Sequence, residues 1–427
     1  MRRRLSQLEH VVEGNIVYVV RLEGSFNEDQ LRSALARVQR KHPALRALIR
    51  DEPDGLYYEA ECAPRIPLRI VPRAAADDYR RECQTELHTA LAYDQPQLRV
   101  VWIRSELEND LLFTTSHRIC DGMSILTLVR EALRLLHSDE ELIPYQPITT
   151  RDIIGSYQPP DLWRRKVAAG LLNGVLRLIP NSRRAPENRE HYLEWNTGPE
   201  FLDALKQRCK AEGVSIHAAL AVALDRALLA VLGRKKLPKW IENPVDIRRG
   251  RFAALKSDMV FFGGGNFQLV TGESPQEEFW SRARTIHEEI RKKVEQAISG
   301  IPGDFHFSDM LRPVRRRQVQ SIVRLGDAMK LNGSWNRFAL SNLGNVVISD
   351  CDSPLRVKDL RLYMHSLSFR ALCLVTYTLH GEMRFYCVGD EKCMSRSQLA
   401  SLQSEFMGLL RSNVQTEAAC LPATVCG

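Results

Sequence analysis

The stretch "SHRICDG" (116–122) sets a histidine and an aspartate four positions apart, with a glycine directly after the aspartate. Before it runs "VVWIRSELENDLLFTT" (100–115), two apolar runs around a polar turn, which predicts a pair of strands. After it runs "MSILTLVREALRLLH" (123–137), whose apolar spacing predicts a helix. An imidazole and a carboxylate thus occupy the short connection between a strand and a helix. Such loops on a rigid scaffold are where chemistry tends to sit.

Working outward, "IVYVVRLEG" (16–24) reads as a strand, and "FNEDQLRSALARVQRKH" (26–42) as a helix. Asn27 and Gln30 are spaced for a capping box, and Leu31, Ala34, Leu35 and Val38 form one apolar face. Short strands are expected at 44–51 and 66–72, and a helix at 77–91. Residues 143–190 are rich in turn formers and charge, and enclose the amphipathic "DLWRRKVAAGLLNGVLRLIP" (161–180). We read that segment first as a cover over a neighbouring lobe, and second as a face resting on a membrane surface.

The second half restarts the alternation. Helices are expected at 198–213, at 216–233 (apolar almost all round and stopped by Gly233), at 277–298 and at 395–412. Strands or strand ends are expected in "WIENPVDIRRG" (240–250), "MVFFGGGNFQLV" (259–270) and "ALSNLGNVVISD" (339–350). A hairpin at 371–391 should turn at His380-Gly381. The expected organisation is α/β: an N-terminal lobe over 1–150, a crossover over 151–190, and a C-terminal lobe over 191–427.

Composition narrows the function. The chain has 427 residues and a net charge of +8, with the excess in short clusters such as "MRRR", "WRRK", "GRKK" and "PVRRRQ". Those clusters read as solvated surface, or as attraction for an anionic donor or an acidic carrier protein. No zinc-finger or RNA-binding signature accompanies them, so no nucleic-acid partner is expected. Ten cysteines without regular pairs suggest reduced thiols and a cytoplasmic protein. Two ligands at His117 and Asp121 are too few for a metal, GxSxG is absent, and "FFGGGNF" lacks the Lys-Ser/Thr of a phosphate loop. General-base work by His117 remains, beside the plain alternative of a buried histidine bonded to backbone.

The HxxxDG motif after a strand pair resembles the acyltransferases built like chloramphenicol acetyltransferase. These include peptide condensation domains, plant-type alcohol acyltransferases and polyketide-associated acyltransferases that esterify lipid diols. Other stretches follow in the order of that superfamily: "LSQLEHVV", "LRSALARVQRKHPALRALI" (31–49), "YDQPQLRVV" (93–101), "GVSIHAALAVAL" (213–224), "NPVDIRRG" (243–250) and "SNLG" (341–344). The resemblance implies two chloramphenicol-acetyltransferase-like lobes in one chain, with an active-site tunnel between them and His117 at its middle. His117 would be the general base, taking a proton from an acceptor that attacks a thioester, with no covalent acyl-enzyme. The donor would be acyl-CoA or an acyl-phosphopantetheine carrier, used as substrate, with no resident cofactor.

It also implies that Asp121 supports the loop by pairing with an arginine: Arg46 in "HPALR" first, Arg248 in "PVDIRR" second. Gly122 would leave room beside the histidine for the donor arm, and Ser341 and Asn342 would contact the oxyanion or the acceptor. Ser116 stands where condensation domains usually carry a further histidine, and the plant-type DFGWG is absent. Transfer to a hydroxyl is therefore expected over transfer to an amine. An amide-forming condensation enzyme and an inactive docking protein of the same fold are the alternatives.

Overall fold

The computed structural model describes residues 2–12, 14–182, 190–248, 252–328, 337–348, 354–365, 371–391 and 393–415. The chain opens with strand β1 (Arg2–Arg4), the short helix α1 (Gln7–Val11), β2 (Asn15–Glu23) and α2 (Glu28–Lys41). It continues through β3 (Leu48–Glu52), β4 (Gly55–Glu59), β5 (Leu68–Pro72) and α3 (Asp78–His88). Next come β6 (Leu98–Arg104), β7 (Glu108–Ser116) and α4 (Gly122–Arg134), then α5 (Thr150–Ile154) and α6 (Leu162–Leu178) in the crossover. The second half runs β8 (Glu190–Asn196), α7 (Pro199–Ala211), α8 (Ile216–Leu232), β9 (Trp240–Pro244), β10 (Asn266–Val270) and α9 (Phe279–Asp309). It closes with α10 (Arg316–Ala328), β11 (Arg337–Asn345), β12 (Arg356–Met364), β13 (Ala371–Leu379), β14 (Glu382–Asp390) and α11 (Arg396–Gln415).

Local chemistry accounts for the boundaries. At α2, Asn27 accepts from the Gln30 backbone N–H while the Gln30 side chain accepts from the Asn27 N–H, the reciprocal cap expected from the sequence. The hairpin β13–β14 turns at His380 and Gly381, with φ of 50° and 79°, the two left-handed positions that a two-residue turn requires. Helix α9 runs past its expected end and carries Pro302 inside it. The missing N–H there is offset by a buried face, because Ile301 and Phe305 pack with Ile153, Ile247 and Leu255.

Two larger sheets organise the chain. The first has the order β12-β2-β7-β6-β5, and the second β10-β9-β11-β13-β14-β8. A three-stranded sheet, β1-β4-β3, sits beside the first. The first half contributes β2, β5, β6 and β7 to the first sheet and leaves it at Ser116, but that sheet is completed later. Strand β12 returns from the second half and pairs antiparallel with β2, from Arg356↔Glu23 to Met364↔Ile16. The range 191–427 therefore supplies the second sheet and one strand of the first.

Within the second sheet, β13 is buried on both faces over 372–377, which is why "ALCLVTYTL" reads as a nearly unbroken apolar run. Leu372 and Leu374 join a core with α7, α8, α9 and α11. Cys373, Val375, Tyr377 and Leu379 point the other way, into the core of the first half. Two lobes are thus packed face against edge, with apolar contact continuous between them.

Candidate active site at the junction of the lobes

His117 is the first residue after β7, the central strand of the first sheet, where Ser116 pairs with Asn15. The His117 N–H donates to the Gly14 carbonyl (2.9 Å), which holds the loop to the neighbouring strand. Its ring Nδ1 lies 2.7 Å from the carbonyl oxygen of Cys120, an acceptor, so Nδ1 carries the proton. Nε2 is then left with its lone pair and makes no hydrogen bond among the described residues. The ring is buried, and burial holds its pKa below the ordinary value for histidine, partly opposed by the Cys120 carbonyl. The imidazole is thus a neutral base of one defined tautomer.

Asp121 caps α4, accepting at Oδ1 from the Ser124 backbone N–H (2.9 Å) and hydroxyl (3.0 Å). Its carboxylate also meets Arg248, whose Nη2 lies 2.8 Å from each oxygen. Arg248 is itself buried and spends its other donors on Asp246 (2.7 Å) and the Met259 carbonyl (3.0 Å). One guanidinium therefore ties the His117 loop to the strand end after β9 and to the segment before β10. The same segment needs glycine: a Cβ on Gly265 would come within 2.7 Å of Ile247.

Arg46 does not reach Asp121. Its Nη1 pairs with Glu61 (2.6 and 2.7 Å), and its Nη2 donates to the Tyr145 carbonyl (2.9 Å). The expectation that put Arg46 first is corrected. Arg46 caps the 3₁₀ turn at Pro43–Leu45 and is held by the chain around Glu61, so it supports that turn instead. A side chain at Gly122 would be tight, and the space beside it holds protein, not an open path for a donor arm. A Cβ would lie 3.0 Å from Leu343 and 3.2 Å from the Tyr18 hydroxyl, and that hydroxyl donates to the Gly122 carbonyl (3.2 Å). Ser341 shares a face of β11 with Ala339 and Leu343, which both pack against the first-half core. Asn342 faces the other way, is exposed, and accepts the Gly344 N–H at Oδ1 (2.9 Å).

A cavity, partly open to solvent, lies between the halves. Tyr58, Ile119 and Tyr145 line it from the first half; Met259, Phe262 and Phe305 line it from the second. His117 is outside this lining but touches it: Phe262 packs edge-on against the imidazole, with centroids 5.3 Å apart. Among the described residues, no group of three or more His, Cys, Asp or Glu side chains is placed to hold a metal ion. No single described helix is long and apolar enough to cross a membrane.

No family model matches the chain. By sequence it is 24% identical over 256 residues to one of the plipastatin synthase proteins of Bacillus subtilis (strain 168). That match covers 55% of this chain and 10% of the synthase protein, so the chain spans about a tenth of that relative's length. By structure it is similar to polyketide synthase associated protein 5 from Mycobacterium tuberculosis, with a TM-score of 0.66 at 13% identity, covering 96% of this chain and 98% of that one. It is similar as well to trichothecene 15-O-acetyltransferase from Fusarium sporotrichioides, with a TM-score of 0.69 at 11% identity, covering 96% and 95%. The first condensation domain of the CDA synthetase matches with a TM-score of 0.64 at 16% identity, covering 98% and 97%.

The chain has the two-lobed condensation-domain and acyltransferase fold.

Within this condensation-type fold, several residues at the site carry no signal that the sequence alone reveals. Arg118, inside the motif, is buried, donates to the Glu9 carbonyl (2.8 Å) and so pins the loop to α1. Phe262 reads in the sequence only as part of a glycine-rich strand. Behind the cavity, Glu131 accepts from Lys41 and from His42 Nε2 (2.7 Å). Asp258 accepts from Lys41 (2.5 Å) and from the Tyr145 hydroxyl (2.6 Å). This network, buried at Lys41, His42 and Glu131 and partly exposed at Asp258, joins the halves a second time. Its one trace in the sequence is "KHP" at 41–43, which reads as a turn.

Proposed function

We propose that the chain is an acyltransferase that moves an acyl group from a thioester, acyl-CoA or an acyl-carrier protein, to a hydroxyl of a small-molecule or lipid acceptor. The observation that carries this reading is the state of His117: neutral, buried, its Nδ1 proton engaged and its Nε2 lone pair unused, on a loop at the seam of two lobes. In the reaction, Nε2 takes the hydroxyl proton as the acceptor oxygen bonds to the thioester carbonyl carbon. The tetrahedral oxyanion collapses, the carbon–sulfur bond breaks, and the thiolate leaves with the proton from the imidazolium. The ester and the free thiol are the products, with no covalent acyl-enzyme. Holding both reactants at one seam supplies much of the rate by proximity.

Supporting roles follow from placement. Asp121 and Arg248 fix the loop, and Ser341, on the face of β11 turned toward the first half, suits a contact to the oxyanion or the acceptor. The Asn342 side chain is already engaged at its own turn, so we give it no such role. The apolar cavity beside Phe262 suits an alkyl or aryl part of donor or acceptor. The likeness to synthetase domains fits a carrier-protein donor as well as free coenzyme A.

The test is a panel of acyl-CoA and acyl-carrier thioesters offered with alcohols and amines, read by mass spectrometry. Ester products carry the proposal. Amide products alone would make the chain a condensation enzyme, and no product with any pair would favour a docking role.

A further inference from the structure

Among the described residues, helix α6 is held along one edge. Ala169 and Leu176 are buried, Arg165 donates to the Gly303 carbonyl (2.9 Å), and Asn173 donates to the Met310 carbonyl (2.9 Å) and accepts the Arg312 N–H (2.7 Å). At 3.6 residues per turn these positions fall within about a quarter of the circumference. The opposite face carries Trp163, Val167, Leu171, Val175 and Leu178, exposed by 67%, 54%, 71%, 53% and 84%. With Leu172, this one helix holds six of the eleven exposed large apolar side chains among the described residues, so the exposure is a patch and not scatter. Gly170 and Gly174 open the same side further, with no atom within 4 Å of a Cβ placed on either.

Charge says what the patch fits. Between residues 162 and 178 there are four cations, Arg164, Arg165, Lys166 and Arg177, and no acidic residue. Arg164 lies over the Trp163 ring at 5.5 Å, within the stripe, and at 3.6 residues per turn Lys166 and Arg177 fall together along one border of it. A stripe of Trp, Val and Leu bordered by cations lets apolar groups enter the acyl boundary while the charges meet headgroup phosphates. A second copy of the chain is a poorer fit, because pairing the same face with itself brings cations against cations with no carboxylate on the helix between them.

We propose that the outer face of α6 docks on the surface of an anionic lipid bilayer. This goes beyond the transfer reaction and does not depend on it. The sequence favours a covering role for this segment; the structure gives that role to one edge and leaves the apolar stripe open. The cavity wall residue Phe305 comes from the same stretch of α9 that holds α6, so docking turns that side of the cavity toward the bilayer.

The experiment is flotation of the full chain with phosphatidylglycerol–phosphatidylcholine vesicles and with pure phosphatidylcholine vesicles, beside mass photometry without lipid. The wild type should float with anionic vesicles. Leu171→Asp should lower binding by about tenfold or more, and R164E with K166E should lower it by about fivefold per residue. All these side chains are exposed, and circular dichroism checks that each variant folds. Absence of wild-type binding to anionic vesicles overturns the proposal. So does binding that is equal on neutral vesicles or unchanged by Leu171→Asp. A dimer that Leu171→Asp converts to monomer, without vesicle binding, assigns the patch to a second copy and overturns it too.

Discussion

Arg248 and Asp121 stand 127 residues apart in the chain, and one guanidinium nitrogen lies 2.8 Å from both carboxylate oxygens. The pair joins the loop that follows β7 to the loop that follows β9, so each half holds the other at the point where the two meet. Asp121 makes no hydrogen bond to His117. It acts on the imidazole through the loop, by keeping the helix cap and the Cys120 carbonyl in place.

The pair is buried on the arginine side, where Arg248 is only 2% exposed, so removing the guanidinium leaves a carboxylate without its partner. Arg248→Met should cost about 3–5 kcal/mol of stability. The partly exposed Arg46–Glu61 pair should cost about 1 kcal/mol or less on Arg46→Ala. Denaturant unfolding of the two variants decides which arginine holds the loop.

At Gly122 the neighbour is Leu343, from the "SNLG" stretch of the other half. Gly122→Ala should destabilise by about 1–3 kcal/mol through overpacking. Leu343→Ala in the same chain should recover part of that loss, since the two sites touch and their effects cannot be additive. A double-mutant cycle measured by thermal unfolding checks the coupling.

Burial lowers the pKa of His117, and in the proposed reaction the neutral form acts as the base. The rate should rise with pH as the ring loses its proton, and reach its plateau with a midpoint below 6.5, the ordinary histidine value. The linked stability has the same sign. The unfolded chain takes up the proton more readily, so this contribution is present above about pH 6.5 and is lost as pH falls below it. A pH profile of kcat/KM, with a parallel denaturation series, tests both.

Much of this is legible in the sequence, for physical reasons that differ by element. The motif helix, its preceding strand pair and the α2 cap follow from local periodicity and side-chain capping. Strand β12 does not show itself, because "RVKDLRLYM" alternates charged residues that pair at a sheet edge, Asp359 with Arg361 and Arg384 among them. Strand β1 and helix α10 hide inside "MRRR" and "PVRRRQ", which read as charge alone. The choice between Arg46 and Arg248 is not local at all: it depends on how the chain returns across β9 and β10, and no spacing encodes that. The cavity, the Phe262 contact and the Asp258 network arise in the same way, from residues of both halves.

The central claim is that His117 is the base of a thioester acyl transfer. Acceptor-dependent thiol release from the active donor, wild type against His117→Ala, tests it most directly. The account predicts a fall of about 10²–10⁴-fold in the variant with its fold intact. Equal acceptor-dependent rates in the two folded proteins would contradict it.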